Sequence, residues 1–155
     1  MTFKIPLAVV DSIETHPTQP HNSVVKAAGY SIVTMKNEDG SFRFARGELV
    51  VIVPENAVIQ ERQLRETGFW NEEKGKGYLA GSKGNRVKGR VVDGVPSEAL
   101  IWSIESLGGS THKPVNEDDR RHVILPYPKN EHQIGVFYRR DDLAEFLGIT
   151  EYVPQ

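Results

Sequence analysis

The middle of the chain carries a run of basic residues with no acidic residue among them. Between residues 74 and 90 there are six cations and no Asp or Glu, the cations being Lys74, Lys76, Lys83, Arg86, Lys88 and Arg90. The last three alternate with uncharged residues, and in a strand this period of two places the charges on one face. Such a row suits a polyanion such as a nucleic-acid backbone, although it is also typical of an ordinary solvated strand face.

Aromatic side chains lie in and beside this basic run. Phe69 and Trp70 precede it, and Tyr78 lies within it. A ring next to cations can stack on a nucleic-acid base, an interaction of roughly 1–3 kcal/mol per base. Phe69 and Trp70 are more typical of residues that close one end of a core, so Tyr78 is the better stacking candidate. The candidate nucleic-acid-binding residues are therefore Lys74, Lys76, Tyr78, Lys83, Arg86, Lys88 and Arg90.

Other residue types that carry chemistry do not form a recognisable site in the sequence. There is no cysteine, which excludes disulfides, thiolate zinc sites and cysteine nucleophiles. The five histidines are scattered over predicted loops without an acid at ligand spacing. The segment 75–77, Gly-Lys-Gly, lacks the flanking strand and helix of a phosphate-binding loop. We therefore predict neither catalytic residues nor a metal site within this chain.

Length and composition are those of an ordinary globular protein. A chain of 155 residues with 38% apolar and 26% charged residues supports one domain with a real core, alone or with a tail. The formal net charge of −2 argues against non-specific nucleic-acid binding by the whole surface, but a local basic site remains possible. No segment has a signal cleavage pattern or approaches a membrane span, so we expect a cytoplasmic protein without membrane contact.

Short runs of Val and Ile separated by turn residues predict the elements that position the basic run. Strands are predicted at 4–13, 23–28, 30–35, 49–53, 86–92 and 99–103. The run 49–53 is apolar throughout, which favours the interior of a sheet. Residues 60–67 predict a short helix that Gly68 ends, and the glycine-rich segment 71–84 predicts a mobile loop. Short strands with almost no helix predict an all-β fold, a small barrel or sandwich.

From residue 107 onward the residue pattern changes. Residues 108–114 and 116–121 are typical of a linker, while 123–125 and 134–138 can pair as an extra hairpin. Residues 141–147 predict a helix with an acidic start and Gly148 as its end. We therefore divide the chain into a barrel over 1–106, a linker or extra hairpin over 107–140, and a short helix with a junction over 141–155.

Five stretches of the sequence, in this order, resemble one known protein family. They are Ala8–Pro17, Ala28–Tyr30, Gly47–Glu55, Arg86–Lys88 and Gly94–Trp102. Together they resemble the N-terminal OB module of ATP-dependent RNA ligases, in the type whose OB domain precedes the nucleotidyltransferase domain. The closing stretch 147–154 resembles the junction that leads into the catalytic domain of that family. The resemblance covers residues 5–102 and 143–154.

The resemblance implies an OB-like barrel of five or six strands, with a C-terminal extension that contains one short helix. It implies a parent enzyme that uses ATP and Mg²⁺ to join a 3′-hydroxyl to a 5′-phosphate. This module would bind RNA or a nicked duplex beside a nucleotidyltransferase domain, in cis or in trans. The Lys-x-Asp-Gly motif that carries the adenylate in that family is absent, since the nearest stretch, 36–40, is one residue too long and predicts a turn. We therefore expect no cofactor in this chain and no reaction of it alone with ATP.

The chain also departs from the family pattern, which keeps other interpretations open. Asp93 stands where a basic residue is usual, Ala99 where glycine is usual, and the stretches 18–22 and 107–133 differ in composition and length. One alternative is a protein-interaction module that docks on a catalytic partner. Another is a solitary OB protein with an unrelated ligand, because the fold hosts many functions.

Overall fold

β-Strands are the main regular elements of the structure, a computed structural model that describes residues 3–113 and 121–153. The helices are α1 (Glu61–Thr67) and α2 (Ala144–Leu147), and one turn of 3₁₀ helix spans Glu105–Leu107. In chain order the strands are β1 (Leu7–Thr15), β2 (Asn22–Ala27), β3 (Tyr30–Met35), β4 (Leu49–Pro54), β5 (Ala57–Val58), β6 (Trp70–Asn71), β7 (Lys76–Gly77), β8 (Arg90–Val92), β9 (Val95–Ser97), β10 (Ala99–Ser103), β11 (Ser110–His112), β12 (His122–Tyr127), β13 (Asn130–Tyr138) and β14 (Thr150–Glu151).

A five-stranded antiparallel sheet forms the centre of the molecule, in the order β10-β4-β1-β2-β3. The sheet nearly closes on itself, because β3 returns to the chain that enters β10. Val33 N–H donates to Ser97 Oγ at 3.0 Å, and Glu98 N–H donates to the Ser31 carbonyl at 2.8 Å. The all-β prediction is confirmed, and the nearly closed five-stranded sheet is consistent with an OB-like barrel.

The apolar strand β4 lies between two hydrophobic clusters, which explains why its sequence does not alternate. Val50 and Ile52 face the cluster inside the barrel, while Leu49, Val51 and Val53 face a second cluster on the other side of the sheet. Every residue of β4 is buried. A strand covered on both faces has no place for a polar residue, so the prediction from the continuous apolar run is confirmed.

The segment after residue 107 forms a three-stranded sheet, β11-β12-β13. The predicted pairing of 123–125 with 134–138 is confirmed, with Val123 opposite Phe137 and Leu125 opposite Gly135. The prediction of a linker at 108–113 was wrong for Ser110–His112, because these residues pair with β12. Most of the other predicted linker, 116–121, lies outside the described residues.

The hydrophobic cluster on the outer side of β4 continues into this C-terminal segment. The cluster that contains Leu7 and Val51 also contains residues from beyond position 106, namely Leu107, Val123, Leu125, Leu143, Leu147 and Ile149. Leu125 and Leu143 have no exposed surface. The hairpin and the last helix are therefore packed against the outer side of β1 and β4 rather than loosely attached.

The last helix is shorter than predicted. It spans Ala144–Leu147, and Gly148 ends it in the left-handed conformation with a φ of 68°. The residues before it form a turn, in which Asp142 Oδ1 accepts hydrogen bonds from Ala144 N–H at 3.0 Å and from Ile5 N–H at 2.9 Å. The helix cannot begin at residue 141, because the Asp141 carboxylate accepts a hydrogen bond from Tyr138 N–H and belongs to this turn.

The strand predicted at 86–92 was wrong for its first four residues. Only Arg90–Val92 form a strand, and they pair with Val95–Ser97 across a two-residue turn at Asp93 and Gly94, whose φ values are 46° and 85°. Two positive φ values are typical of the tight turn that Asp-Gly favours in hairpins. Arg86 makes isolated bridges to Val58 and Ala80 instead. The strict alternation of charged and buried residues therefore ends, and Val91 is 69% exposed.

Helix α1 confirms the prediction for 60–67. It begins after Gln60 and ends at Gly68, whose φ of 86° turns the chain so that Phe69 N–H donates to the Leu64 carbonyl at 2.8 Å. Within the described residues, neither helix has the length and apolar sequence that crossing a membrane requires.

Candidate functional site

A groove of about 900 Å³ opens between β3, β10 and the segment 78–90. No Asp or Glu is among the described residues that line it. Tyr78 lines it and is 64% exposed. Its cationic residues are Arg43, Arg86, Lys88 and Arg90. We call this depression the groove; it combines positive charge with an exposed ring, which suits an anion that also carries an aromatic group.

The position of Lys88 in the groove follows from the anchoring of its neighbour. Val87 is buried, its N–H donates to the Ala57 carbonyl at 2.9 Å, and its carbonyl accepts from Asn56 N–H at 2.8 Å. These bonds fix the chain against β5, so that the next side chain, Lys88, is exposed at the groove. Arg90 then starts the β8–β9 hairpin and is also exposed.

Arg86 lies at the groove but its charge is already engaged. The Arg86 guanidinium lies 4.2 Å from the centre of the Tyr152 ring, a cation–π contact. Its backbone exchanges two hydrogen bonds of 3.0 Å with Ala80. Arg86 therefore holds the segment after α2 against the groove wall, and it is a weaker candidate for an anion contact than Lys88 and Arg90.

The predicted basic set divides between two depressions. Lys74, Lys76 and Lys83 line a second depression of about 750 Å³ next to Trp70 and Glu61, which we call the lysine pocket. Glu61 there forms an ion pair of 3.1 Å with Arg65. The structure thus brings Tyr78, Arg86, Lys88 and Arg90 together in the groove and separates the three lysines from them. The candidate roles of all seven residues stay predictions.

The glycine-rich segment between the two depressions is held by strand pairing and backbone hydrogen bonds. Strands β6 and β7 pair in it, and Gly77 N–H donates to the Lys83 carbonyl at 3.0 Å. The backbones of Gly77 and Gly84 cross so closely that a Cβ on Gly84 would lie 1.9 Å from the Gly77 carbonyl oxygen. The segment predicted as a mobile loop therefore contains paired strands and a close backbone crossing, while its mobility stays a prediction. Glycine is required at the crossing because the chain needs that space.

His16 ties the loop after β1 to the hairpin that carries Arg90. The His16 ring is 2% exposed, its Nδ1 accepts from the N–H groups of Thr18 and Gln19, both at 3.1 Å, and its Nε2 lies 2.8 Å from the Val92 carbonyl. The neutral tautomer with the proton on Nε2 satisfies all three partners. Thr18 also bonds to the Asp93 carboxylate. Asp93 therefore anchors this loop at the hairpin turn.

The aromatic residues in and beside the basic run differ in burial, as the sequence indicates. Phe69 and Trp70 are partly buried and pack against the cluster that contains Leu7. The Arg65 guanidinium lies 4.6 Å from the centre of the Trp70 ring. Tyr78 is the exposed member of the three. Its exposure is compatible with base stacking, which stays a prediction.

Two indole N–H groups are buried without a partner. Among the described residues, Trp70 Nε1 and Trp102 Nε1 are buried side-chain atoms with no hydrogen-bond partner. Trp70 lines the lysine pocket and Trp102 lines the groove, but the two nitrogen atoms themselves are shielded from solvent. A buried donor without a partner carries a free-energy cost of about 1–3 kcal/mol.

Sequence reasoning missed Arg43 and the tethering role of His16. Arg43 is 45 positions before Lys88, so no local pattern links the two; only the closure of the sheet brings both to the groove. The histidine had a weak local signal, since it follows a strand and precedes Pro17, a position at which a side chain can bond to the turning backbone. Within the described residues, no group of three His, Cys, Asp or Glu side chains has the arrangement of a metal site.

Comparison with solved structures places this fold among known proteins. No family model and no curated protein matches the chain. Solved structures of an RNA ligase from Naegleria gruberi do match. The structure of that ligase with PPi gives a TM-score of 0.59 at 16% sequence identity and covers 100% of this chain. An apo mutant gives 0.60 at 16% identity, and a mutant with AMP and Mn gives 0.59 at 17% with 97% of this chain covered.

The match is one of fold and spans part of the ligase chain. This chain covers 36% of the length of the first two ligase structures and 35% of the third. At this sequence identity the comparison establishes a shared fold, over nearly the whole of the present chain. The fold described above therefore also occurs within a longer RNA ligase chain.

Proposed function

We propose that this chain is a nucleic-acid-binding accessory module of an ATP-dependent RNA ligase, which seals a 3′-hydroxyl to a 5′-phosphate. In this proposal the module binds RNA or a nicked duplex and acts beside a nucleotidyltransferase domain, in cis or in trans. ATP and Mg²⁺ would serve that catalytic domain, and this chain would contribute binding alone. The shared fold with a longer RNA ligase chain and the ordered sequence resemblance support the proposal.

The observation that carries the proposal is the charge of the groove. Four cationic residues and no described acid line a depression of about 900 Å³. Arg90 also borders a neighbouring depression, which it shares with Glu55 and Glu98, whereas Lys88 lines only the groove of these two depressions. A chain with a net charge of −2 has therefore concentrated positive charge at one place. Local cations attract phosphates and release counterions, whereas the negative remainder of the surface disfavours non-specific binding.

The groove also offers more than charge. Tyr78 lines it and is exposed, so its ring can stack on a base. The sheet of OB folds commonly binds oligonucleotides across its strands 2 and 3, and here β3 forms one wall of the groove. Phosphate contacts of this kind fix the position of a nucleic acid without selecting its sequence. This is the property expected of a module that presents strand ends to a catalytic domain.

A salt titration of the double substitution Lys88→Ala and Arg90→Ala tests the proposal. Binding of fluorescent nicked RNA duplex and of single-stranded RNA is measured by anisotropy at four salt concentrations. Each lost phosphate contact flattens the slope of log Kobs against log salt by roughly 0.7 to 0.9, so the double variant should lose roughly 1.5 units. Affinity at low salt should fall at the same time, because both contacts act on the bound state.

The matched control replaces two exposed lysines that line neither depression, Lys4→Ala and Lys129→Ala. This control changes the net charge equally and should leave the slope within about 0.3 of the wild type. An equal loss in both double variants would mean that net charge, and not the groove, controls binding. Absence of RNA binding by the wild type at low salt would reject the proposal in favour of docking on a protein.

A further inference from the structure

The outer face of the C-terminal sheet is a surface that neither the groove nor the core uses. One face of β11-β12-β13 packs inward through Val123, Leu125 and Phe137. None of the outward-facing residues lines the groove or the lysine pocket. These outward residues are Ser110, His112, His122, Ile124, Ile134, Val136 and Tyr138. We call this surface the outer face.

Three rings cross the outer face in one row, one from each strand. The strand register places His112 opposite His122 and His122 opposite Tyr138. The two imidazole rings are stacked, with centroids 5.3 Å apart and planes 14° from parallel, and the His122 and Tyr138 centroids are 5.9 Å apart. His112 and Tyr138 are exposed. The rings therefore form a continuous aromatic surface rather than three isolated side chains.

An apolar row lies beside the rings. In the register, Ser110 is opposite Ile124 and Ile124 is opposite Val136, and Ile134 follows opposite Pro126. Ile134 is 62% exposed and Val136 is 48% exposed. Exposed apolar side chains on a sheet face add nothing to the core, and a group of them commonly marks a binding surface.

Cationic side chains follow the rings at the end of the sheet. Lys113 comes directly after His112, and Arg139 directly after Tyr138, and both are exposed. At the same end of the sheet, the Asp141 carboxylate accepts a backbone hydrogen bond from Tyr138, and the Asp142 carboxylate accepts from Ile5 and Ala144. Lys113 and Arg139 therefore supply exposed positive charge next to the rings, and this charge favours an anionic partner over an apolar protein surface.

We propose that the outer face is a second nucleic-acid contact, on which unpaired bases of single-stranded RNA stack while Lys113 and Arg139 contact the adjoining phosphates. The inference rests on the proposed function, since it names the part of the RNA that a site other than the groove would recognise. Sheet faces with aromatic side chains commonly bind single-stranded RNA by stacking its bases. The three rings span the sheet, and neighbouring strands lie about 4.8 Å apart, so splayed bases can lie on successive strands.

The test separates stacking from charge on the full chain. Affinity for a 12-nucleotide single-stranded RNA is measured for the wild type and for the double variant His122→Ala and Tyr138→Ala, together with the fluorescence of a 2-aminopurine base in the same RNA. Loss of base stacking should weaken binding roughly 5- to 150-fold. The salt slope should stay unchanged, and the quenching of 2-aminopurine should disappear. Tyr138→Phe keeps the ring and should bind as the wild type does.

A second pair of variants keeps the test independent of folding defects. His112→Ala with Tyr138→Leu changes only exposed positions and retains apolar volume, so the fold should be preserved. An abasic ribose-phosphate strand of equal length should bind wild type and ring variants equally. Full RNA affinity in both ring variants, with a flattened slope in the Lys88 and Arg90 variant, would overturn this inference and leave the groove proposal standing.

Two other outcomes are also decisive. Ring variants that keep RNA affinity but lose self-association in analytical ultracentrifugation, or lose binding to a nucleotidyltransferase domain, would assign the outer face to a protein and overturn the inference. A wild-type chain that binds no RNA at low salt would reject the groove proposal, and this inference with it.

Discussion

At the scale of single residues, charge alone is a poor guide to which side chains act together. The six cations between 74 and 90 are neighbours in the sequence, yet three of them line the lysine pocket and three the groove. Arg43, far away in the chain, joins the second group. The division arises at the crossing of Gly77 and Gly84, which turns the chain from one depression to the other.

The crossing gives a prediction for Gly84→Ala. The added Cβ would lie 1.9 Å from the Gly77 carbonyl oxygen, and the φ of Gly84 is 63°, so the variant combines a backbone clash with a strained conformation. We expect a loss of about 3 kcal/mol in the free energy of unfolding, measured by urea denaturation. RNA binding should weaken as well, because the segment that carries Lys83 and Arg86 must shift.

Gly75→Ala is the matched control for this prediction. Gly75 has a φ of 64°, and its added Cβ would meet nothing within 4 Å. It should therefore cost only the strain of the left-handed conformation, about 1–2 kcal/mol. Equal losses in the two variants would show that the crossing relaxes freely and that only the backbone conformation matters.

At the scale of elements, the sequence predicted those strands whose own residues determine their environment. The hairpin of β2 and β3, the buried strand β4 and the hairpin of β12 and β13 have clear patterns, and all three are confirmed. The strand prediction for 86–92 was wrong in its first half, because Arg86 there bridges to Val58 in a distant part of the chain and to Ala80 nearby. Its second half contains the Asp93-Gly94 turn, a local hairpin signal that the basic pattern obscured.

Helix α2 shows a similar limit, and it gives the next prediction. Asp142 lies in the turn before the helix, and its Oδ1 accepts from Ala144 N–H and from Ile5 N–H at the other end of the chain. Asp142→Ala removes this acceptor and leaves two N–H groups unpaired, one of them on a buried residue, so it should cost about 1–2 kcal/mol in the free energy of unfolding. Asp142→Asn keeps an oxygen at the same place and should lie within about 0.5 kcal/mol of the wild type by urea denaturation. A large loss in Asp142→Asn would assign the effect to charge instead of to these two hydrogen bonds.

At the scale of the whole molecule, the sequence predicted the fold class but not how its parts join. Alternating and continuous apolar runs are local, so an all-β chain of about six short strands followed from them. Leu125 and Leu143 share a cluster with Leu7 and Val51 from a distant part of the sequence, and no local residue pattern predicts this packing. The groove has the same origin, because sheet closure alone brings β3 to the segment that carries Lys88.

The shared core predicts that residues on either side of position 106 unfold together. Leu125 has no exposed surface and belongs to the same cluster as Leu7 and Val51, so Leu125→Ala should lower the free energy of unfolding by about 2–5 kcal/mol. Both tryptophans, Trp70 and Trp102, precede residue 106. Their fluorescence in a urea titration therefore reports the barrel, although the substitution lies in the hairpin.

If the barrel and the hairpin unfold as one cooperative unit, Leu125→Ala must lower the urea midpoint seen by tryptophan fluorescence and the midpoint seen by far-UV circular dichroism by the same amount. Val136→Ala, on the exposed side of the neighbouring strand, should change the free energy of unfolding by less than about 0.5 kcal/mol. If the segment beyond 106 were a separate unit, Leu125→Ala would leave the tryptophan transition in place and only the circular dichroism would change. In that case the contacts between hairpin and barrel would contribute little free energy, and RNA bound at the groove and at the outer face would be held by two independent bodies.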